Sequence, residues 1–223
     1  MKIGVRLSRR FDDAGEYLAD ARAFDAAGVD ALWLTDAGYD PWLLLAGIAA
    51  VTGRTRLVVP VAAMDSLAAS EALHGRVETL QRLSRGRLFL TVTDHDEHLR
   101  GVDTIVEIAR RVSCGVILQA SDARYAKLAA EQASGLVVLD ESADAFRSIL
   151  DASSRHRRDS AIPFEAWATM KMPSDRDAWR ASRAEYEAVG ATGVIVPVDP
   201  RLLDLLRNGE EEDDRSDLGL AQG

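Results

Sequence analysis

The stretch "ALWLTDAGYDPWLLLAGIAAVTGRTRLVVPVAA", residues 31–63, contains two short apolar runs with a longer apolar segment between them. The flanking runs, 31–36 and 55–63, are rich in aliphatic and β-branched residues and have the length of strands. The middle segment starts with Asp40 as a helix cap and Pro41 in the first turn. The stretch therefore predicts a strand–helix–strand unit, the unit that builds a parallel sheet.

The same alternation continues along the whole chain. The candidate strands cover residues 2–8, 31–36, 55–63, 87–92, 114–121, 135–140, 163–171 and 193–199, with helical patterns between them and a last helix at 200–209. Eight evenly spaced units predict a closed (β/α)8 TIM barrel, at the short end of the size range of that fold. A doubly wound open sheet is the alternative, and it is weaker because no G-x-G-x-x-G follows the first strand.

Composition limits the classes of function. The chain has 223 residues, enough for one sizeable core, and we expect a single domain over 1–208 followed by a disordered acidic tail at 209–223. A net charge of -9 argues against a nucleic-acid surface. No apolar run reaches the roughly 20 residues that cross a bilayer. With one cysteine and no signal-peptide pattern, the expected location is cytoplasmic.

One set of residues carries a resemblance to a known family. In order along the chain it comprises Gly28, Asp30, Trp33, Asp40, Pro41, Leu45, Thr52, Arg54, Leu57, Leu80, Leu83, Ser84, Gly86 and Arg87. In residue type and in order along the chain, these positions resemble the luciferase-like monooxygenase family, including its deazaflavin-dependent branch. The resemblance implies a barrel that holds FMN or the deazaflavin coenzyme F420 at the C-terminal ends of its strands, acts as an oxidoreductase on a small organic substrate, and forms a homodimer.

The chain departs from the family pattern at the expected mouth of the barrel. Asp36 is followed by Ala37, where many deazaflavin enzymes carry an Asp–His pair, and the fifth strand ends in "QASDAR" instead of a glycine pair. Between Val92 and Cys114 the sequence shows barely a helix, so we expect the substrate lid of the family to be reduced or absent.

Candidate site residues follow from the rule that strand ends and the loops behind them line the mouth of a barrel. Asp36 and His95 are the candidates for acid–base catalysis. Cofactor binding is expected from Ser8, from Ser66, Gln119 and Ser121 as hydrogen-bond partners of a flavin ring, and from Lys171 and Arg201 as partners of a phosphate.

The segment "TVTDHDEHLRG", residues 91–101, combines two histidines with three carboxylates. Asp94 and Glu97 have the spacing of a capping box, which explains two of the acids without any chemistry. His95 and His98 are three apart and lack a third ligand at a defined spacing, so no metal site is predicted. His95 directly follows the fourth strand and is the candidate acid–base group.

Arg6 is predicted to point into the barrel, because alternation places Ile3, Val5 and Leu7 on the opposite, helix-facing side. A buried arginine needs a carboxylate, and Glu165 and Asp36 are the candidate partners. Such a pair could be structural or could bind an anion. Cys114 begins a central strand and is expected to be a buried, inert thiol.

Two alternatives to a flavin-dependent enzyme stay open. One is a shortened barrel without catalysis that binds a flavin-like ligand or a protein partner. The other is a hydrolase or aldolase-type barrel in which Lys171 is an amine nucleophile, which would require a lowered lysine pKa.

Overall fold

The computed structural model describes residues 1–62, 70–93, 99–139, 142–157 and 163–207, and for residues 36, 62, 93, 99, 100 and 207 it describes the backbone alone. The expected Asp94–Glu97 capping box and the acidic tail lie outside these ranges. In chain order the elements are β1 (Lys2–Arg9), α1 (Ala14–Ala26), β2 (Ala31–Gly38), α2 (Pro41–Val51), β3 (Arg56–Ala62), α3 (Ser70–Leu83), β4 (Leu88–Thr93), α4 (Leu99–Arg111), β5 (Gly115–Gln119), α5 (Ala123–Gln132), β6 (Gly135–Val138), α6 (Ala143–Ser154), β7 (Glu165–Thr169), α7 (Arg176–Ala188), β8 (Gly193–Pro197) and α8 (Leu202–Arg207).

The eight strands form one closed parallel barrel in sequence order. The ring closes between its first and last strands, where Gly4 of β1 is aligned with Ala31 of β2 on one side and with Ile195 of β8 on the other. The predicted (β/α)8 barrel is therefore confirmed, and the open sheet is wrong. Each predicted strand is present, most of them a few residues shorter than the apolar run that predicted them.

One helix was missed by the sequence interpretation. Where barely a helix was expected between Val92 and Cys114, α4 extends over 13 residues. Its buried side chains Val102, Ile105, Val106 and Ala109 follow the i, i+3, i+4, i+7 spacing of an amphipathic helix. The charged residues around them obscured this pattern, and the unit is a complete βα repeat like the others.

The barrel has two separate apolar layers. Val5 and Leu7 of β1 are almost fully buried against the surrounding helices, as the alternation predicted. Inside the barrel a smaller cluster packs around two tryptophans and comprises Ala31, Trp33, Val58, Ile117, Val137, Trp167 and Ile195, with Phe89 against it. The barrel interior is thus a packed core and not a pore.

Glycines make room for the large rings of this inner core. A Cβ on Gly193 would lie 2.5 Å from the ring of Trp167, and a Cβ on Gly115 would lie 2.2 Å from the ring of Phe89. Each glycine is the direct neighbour of that aromatic residue on the adjacent strand. Small and large residues therefore alternate around the ring because the closed barrel has a fixed internal volume.

Asp25, at the end of α1, closes the N-terminal side of the barrel. Its carboxylate accepts hydrogen bonds from the backbone N–H groups of Gly53, Arg54 and Thr55 at 3.0, 2.9 and 2.8 Å, and from the Thr55 hydroxyl at 2.8 Å. Burial raises the pKa of Asp25, but these hydrogen bonds outweigh it and lower the pKa to about 2. The loop between α2 and β3 is thereby attached to the first helix.

Arg87, just before β4, has a similar role. Its guanidinium donates to the carbonyl oxygens of Thr55 at 2.7 Å and Thr52 at 3.0 Å, and its Nε donates to that of Ser84 at 2.7 Å. Thr52, Arg54, Ser84 and Arg87 belong to the set that carries the family resemblance. They lie at the N-terminal ends of the strands, the face of a barrel associated with stability and not with catalysis.

None of the helices in the described ranges combines the length and the apolar character needed to cross a membrane.

We expect Gly193→Ala to lower the free energy of unfolding by about 1–3 kcal/mol, because the added methyl group overpacks the Trp167 ring. Gly75→Ala is the matched control: this exposed glycine lies within α3, nothing lies within 4 Å of its Cβ position, and alanine favours the helix by about 0.5–1 kcal/mol. Urea unfolding would measure both variants. Equal stability of Gly193→Ala and the wild type would contradict this account of the inner core.

Candidate functional site

A cavity of about 130 Å³ opens at the C-terminal end of the barrel. Seven of the eight strands contribute residues to its walls, and β5 and β7 contribute their last residues, Gln119 and Thr169. Among the described residues, the lining comprises Arg6, Trp33, Leu34, Thr35, Thr91, Gln119, Val137, Leu139, Thr169 and Ile195. Its position matches the end of the barrel at which TIM-barrel enzymes hold their active sites.

Of the described residues in the wall of this cavity, Arg6 is the cation, and its inward direction is as predicted. The side chain is partly buried. Among the described residues, none accepts a hydrogen bond from its guanidinium or forms an ion pair with it. Of the two expected partners, Glu165 is wrong, and the side chain of Asp36 lies outside the described part of the structure.

Glu165 is instead the centre of an ion cluster at the opposite, N-terminal end of the barrel. Arg56 Nη1 lies 2.6 Å from Oε1 and 2.7 Å from Oε2 of Glu165, Lys2 also pairs with Oε1, and Trp167 Nε1 donates to Oε2 at 2.9 Å. Arg56 also lies over the ring of Phe89, 4.7 Å from its centroid. Burial raises the pKa of Glu165, but the hydrogen bonds from its three donors have the larger effect. The net result is a pKa below the usual 4.5.

Some polar side chains in the cavity form hydrogen bonds within the protein, and others do not. The Thr169 hydroxyl donates to the carbonyl oxygen of Val138 at 3.2 Å, and that of Thr35 donates to Ala37 at 3.3 Å. In contrast, the Gln119 amide and the Thr91 hydroxyl make no hydrogen bond within the described ranges. Gln119 and Arg6 therefore offer free polar groups to a molecule in the cavity.

The structure describes five of the eight residues predicted for the site, all near the C-terminal ends of strands. Gln119 lines the cavity itself. Ser8 is exposed near the end of β1, where its hydroxyl accepts from the N–H of Arg10 at 3.0 Å. Ser121 and Lys171 are exposed two residues beyond β5 and β7. The barrel thus brings residues that are distant in sequence to one end of the molecule.

Arg201, the fifth of these residues, is already paired. Its guanidinium makes two bonds of 2.9 Å to the carboxylate of Asp199 and one of 3.1 Å to the carbonyl oxygen of Ser174. The pairing lowers the pKa of Asp199 to about 2. This charge is largely compensated. Phosphate binding by Arg201 stays a prediction, as does phosphate binding by Lys171.

The other three predicted site residues lie outside the described part of the structure, in whole or in their side chains. Ser66 and His95 lie in undescribed loops, and for Asp36 the backbone alone is described, within β2. Their roles as cofactor contact and catalytic groups stay predictions.

Several helix N-termini on this side of the barrel are occupied by their own caps. The capping residues are Asp13 of α1, Asp40 of α2, Asp122 of α5, Ser142 of α6 and Asp175 of α7. At α5, for example, the Asp122 carboxylate accepts from two backbone N–H groups at 2.7 and 3.1 Å. A carboxylate at that position excludes a phosphate from the helix end, since it uses the same donors and repels the anion.

Cys114 is buried beside β5, and its thiol lies 3.1 Å from the carbonyl oxygen of Leu88. Burial raises its pKa to about 12. The expected burial of this thiol is confirmed, and its inertness stays a prediction.

The sequence pointed to Arg6 and Gln119 but missed the other cavity residues. Thr91, Thr169 and Trp33 share the inward-facing side of their strands with other interior residues. The sequence did contain a signal for them. Because side chains alternate between the two faces of a strand, a polar residue on the inward face near the strand end indicates a cavity residue.

No protein-family model matches the sequence, and no curated protein matches it. Solved structures resemble it in fold. The coenzyme F420-dependent tetrahydromethanopterin reductase from Methanopyrus kandleri has a TM-score of 0.73 and 12% sequence identity, over 94% of this chain and 97% of that one. The oxygenating constituent of 3,6-diketocamphane monooxygenase from Pseudomonas putida, a type II Baeyer-Villiger monooxygenase solved with FMN, has a TM-score of 0.69 and 12% identity, over 95% and 97%.

Both of these enzymes belong to the luciferase-like class that the sequence resembles. A tryptophan synthase from M. tuberculosis is similar too, with a TM-score of 0.66 and 17% identity over 92% of this chain and 90% of that one. At these identities the likeness establishes the (β/α)8 fold. The fold alone does not specify the chemistry, because one barrel fold supports many reactions.

We expect Glu165→Gln to lower the free energy of unfolding by about 2 kcal/mol at neutral pH, since it leaves two cations without their carboxylate. A carboxylate whose native pKa is lowered stabilises the protein above its unfolded pKa and loses this effect as pH falls. The difference between variant and wild type should therefore shrink below about pH 4.5.

The matched control for this experiment is Glu107→Gln, which breaks the exposed pair with Arg111 and should cost less than about 0.5 kcal/mol. Urea titrations across the pH range would measure both variants. If the difference in unfolding free energy between Glu165→Gln and the wild type did not depend on pH, the charge of Glu165 would not be what stabilises the N-terminal end of the barrel.

We expect the thiol of Cys114 to react with a disulfide reagent at least a hundredfold more slowly in the native protein than in denaturant at the same pH, because it is buried and un-ionised. Absorbance of the released thiolate would follow the reaction. Fast native labelling would contradict the packing around β5.

Proposed function

We propose that this protein is a divergent luciferase-like oxidoreductase that binds FMN or coenzyme F420 at the C-terminal mouth of its barrel and acts on a small organic substrate. The observation that carries the proposal is the apolar cavity at that end of the barrel, with the free polar groups of Arg6 and Gln119 in its wall. The two luciferase-like neighbours, one dependent on F420 and one solved with FMN, support the same class.

The size of the cavity limits how such a cofactor could be held. At about 130 Å³ it is smaller than the ~300–1,000 Å³ pockets that enclose drug-sized ligands. A flavin ring would therefore lie across the mouth, above the cavity. Gln119, the last residue of β5, could pair with the edge of the ring, because its amide offers both a donor and an acceptor.

A cofactor phosphate would require a side-chain partner. The helix N-termini capped by Asp40, Asp122 and Asp175 are not free to bind an anion. Lys171, exposed beyond β7, is the proposed phosphate contact, and Ser8 and Ser121 would add hydrogen bonds from neighbouring strand ends.

When bound, the cofactor would supply the hydride transfer or oxygen activation. The chain would orient it and exclude water through the apolar walls below the mouth. Asp36 and His95 are the proposed acid–base groups at the ends of β2 and β4. The homodimer and the cytoplasmic location stay predictions.

Equilibrium binding of FMN and of F420, followed by quenching of cofactor fluorescence, tests the cofactor site. We expect saturable micromolar binding of one of them and about tenfold weaker binding by Gln119→Leu, the loss of about one hydrogen bond to a buried group. Gln132→Leu, at the far end of α5, should bind like the wild type. Failure of both cofactors to bind would refute the proposal.

Turnover distinguishes the enzyme from a barrel that only binds a flavin-like ligand. We expect oxidation of the reduced cofactor by small organic acceptors, or reduction of the oxidised cofactor by small organic donors, to be lost in Asp36→Ala and His95→Ala while cofactor binding is kept. Tight cofactor binding without turnover in the wild type would favour the non-catalytic alternative.

A further inference from the structure

We infer that the cavity beneath the mouth binds a small monocarboxylate with a compact, apolar body, and that Arg6 holds its carboxylate. The binding site itself is independent of any cofactor. Only the assignment of the bound molecule as the substrate rests on the proposed function.

The charge balance of the cavity favours an anion. The guanidinium of Arg6 is partly buried and faces the cavity without an acceptor in the described part of the chain. Among the residues that the structure describes, no acid lines the cavity, and Glu165 is bound to Lys2 and Arg56 at the other end of the barrel. A partly desolvated arginine without a partner is unfavourable, and a carboxylate meets its planar fork with two parallel hydrogen bonds.

The same cavity favours a single negative charge and a small apolar body. Arg6 is the one cation in the described part of its lining, so a second negative charge on the ligand would be left unpaired there. The side chains of Trp33, Val137 and Ile195 supply apolar walls. A cavity of about 150 Å³ accommodates benzene in an engineered protein, so about 130 Å³ with an open mouth suits a benzoate-sized molecule.

The position of Gln119 adds a feature to this ligand. Arg6 lies on β1 and Gln119 on β5, four strands apart in a ring of eight, so the two residues occupy opposite walls. A ligand whose carboxylate meets Arg6 presents its far end towards the Gln119 amide. We therefore expect a polar substituent at that end, such as a para-hydroxyl group, to strengthen binding.

The test is calorimetric titration of the full chain with benzoate and with benzamide, its neutral analogue, supported by the change in tryptophan fluorescence, to which Trp33 in the cavity wall contributes. We expect benzoate to bind at least tenfold more tightly than benzamide, and para-hydroxybenzoate more tightly than benzoate. Arg6→Met should abolish the preference for benzoate, and Arg6→Lys should keep part of it. Arg22→Met, an exposed arginine of α1, is the control and should leave binding unchanged.

Parallel titration of the same variants with FMN and F420 separates this inference from the proposed function. Benzoate binding that depends on Arg6, without binding of either cofactor, supports the carboxylate site and refutes the cofactor proposal. Equal binding of benzoate and benzamide, or tighter binding of inorganic phosphate than of benzoate, overturns the inference. So does loss of cofactor binding in Arg6→Lys and Arg6→Met without any binding of benzoate, because Arg6 would then belong to the cofactor site.

Discussion

Closure of the ring between β1 and β8 is the constraint on which the rest of the structure depends. Once eight parallel strands close, the inward side chains share a fixed volume and cannot spread apart. Large rings such as Trp167 and Phe89 then require glycines, Gly193 and Gly115, as neighbours on the next strand. Closure also removes the edges of the sheet and gathers every strand end at one of two faces.

Those two faces are chemically different. At the N-terminal face the charged groups are paired: Glu165 with Lys2 and Arg56, Asp25 with backbone N–H groups, and Arg87 with backbone carbonyl oxygens. At the C-terminal face the cavity keeps Arg6 and Gln119 unbonded within the described residues. Satisfied polar groups stabilise a fold, whereas unsatisfied ones facing a cavity are available to a ligand.

This difference also explains the sequence resemblance. Several residues that carry it, among them Thr52, Ser84 and Arg87, are buried or hydrogen-bonded at the N-terminal face, where they connect loops and helices. These three residues reflect how the barrel is built and do not line the cavity, whereas Trp33, of the same set, does. The departures from the family pattern, by contrast, fall at strand ends on the C-terminal face, so the resemblance indicates the architecture more strongly than the reaction.

By itself, the sequence determined the eight repeated units, the barrel and the inward side of β1, because strand periodicity and helix caps are local properties. It did not determine α4, whose apolar stripe was obscured by charged residues, or the partner of Arg6. Alternation shows which side of a strand a residue occupies, but its height in the barrel depends on register between strands. Only the tertiary structure placed Glu165 at the N-terminal end of the barrel and Arg6 at the cavity. The register between neighbouring strands around the ring decides which charged side chains meet.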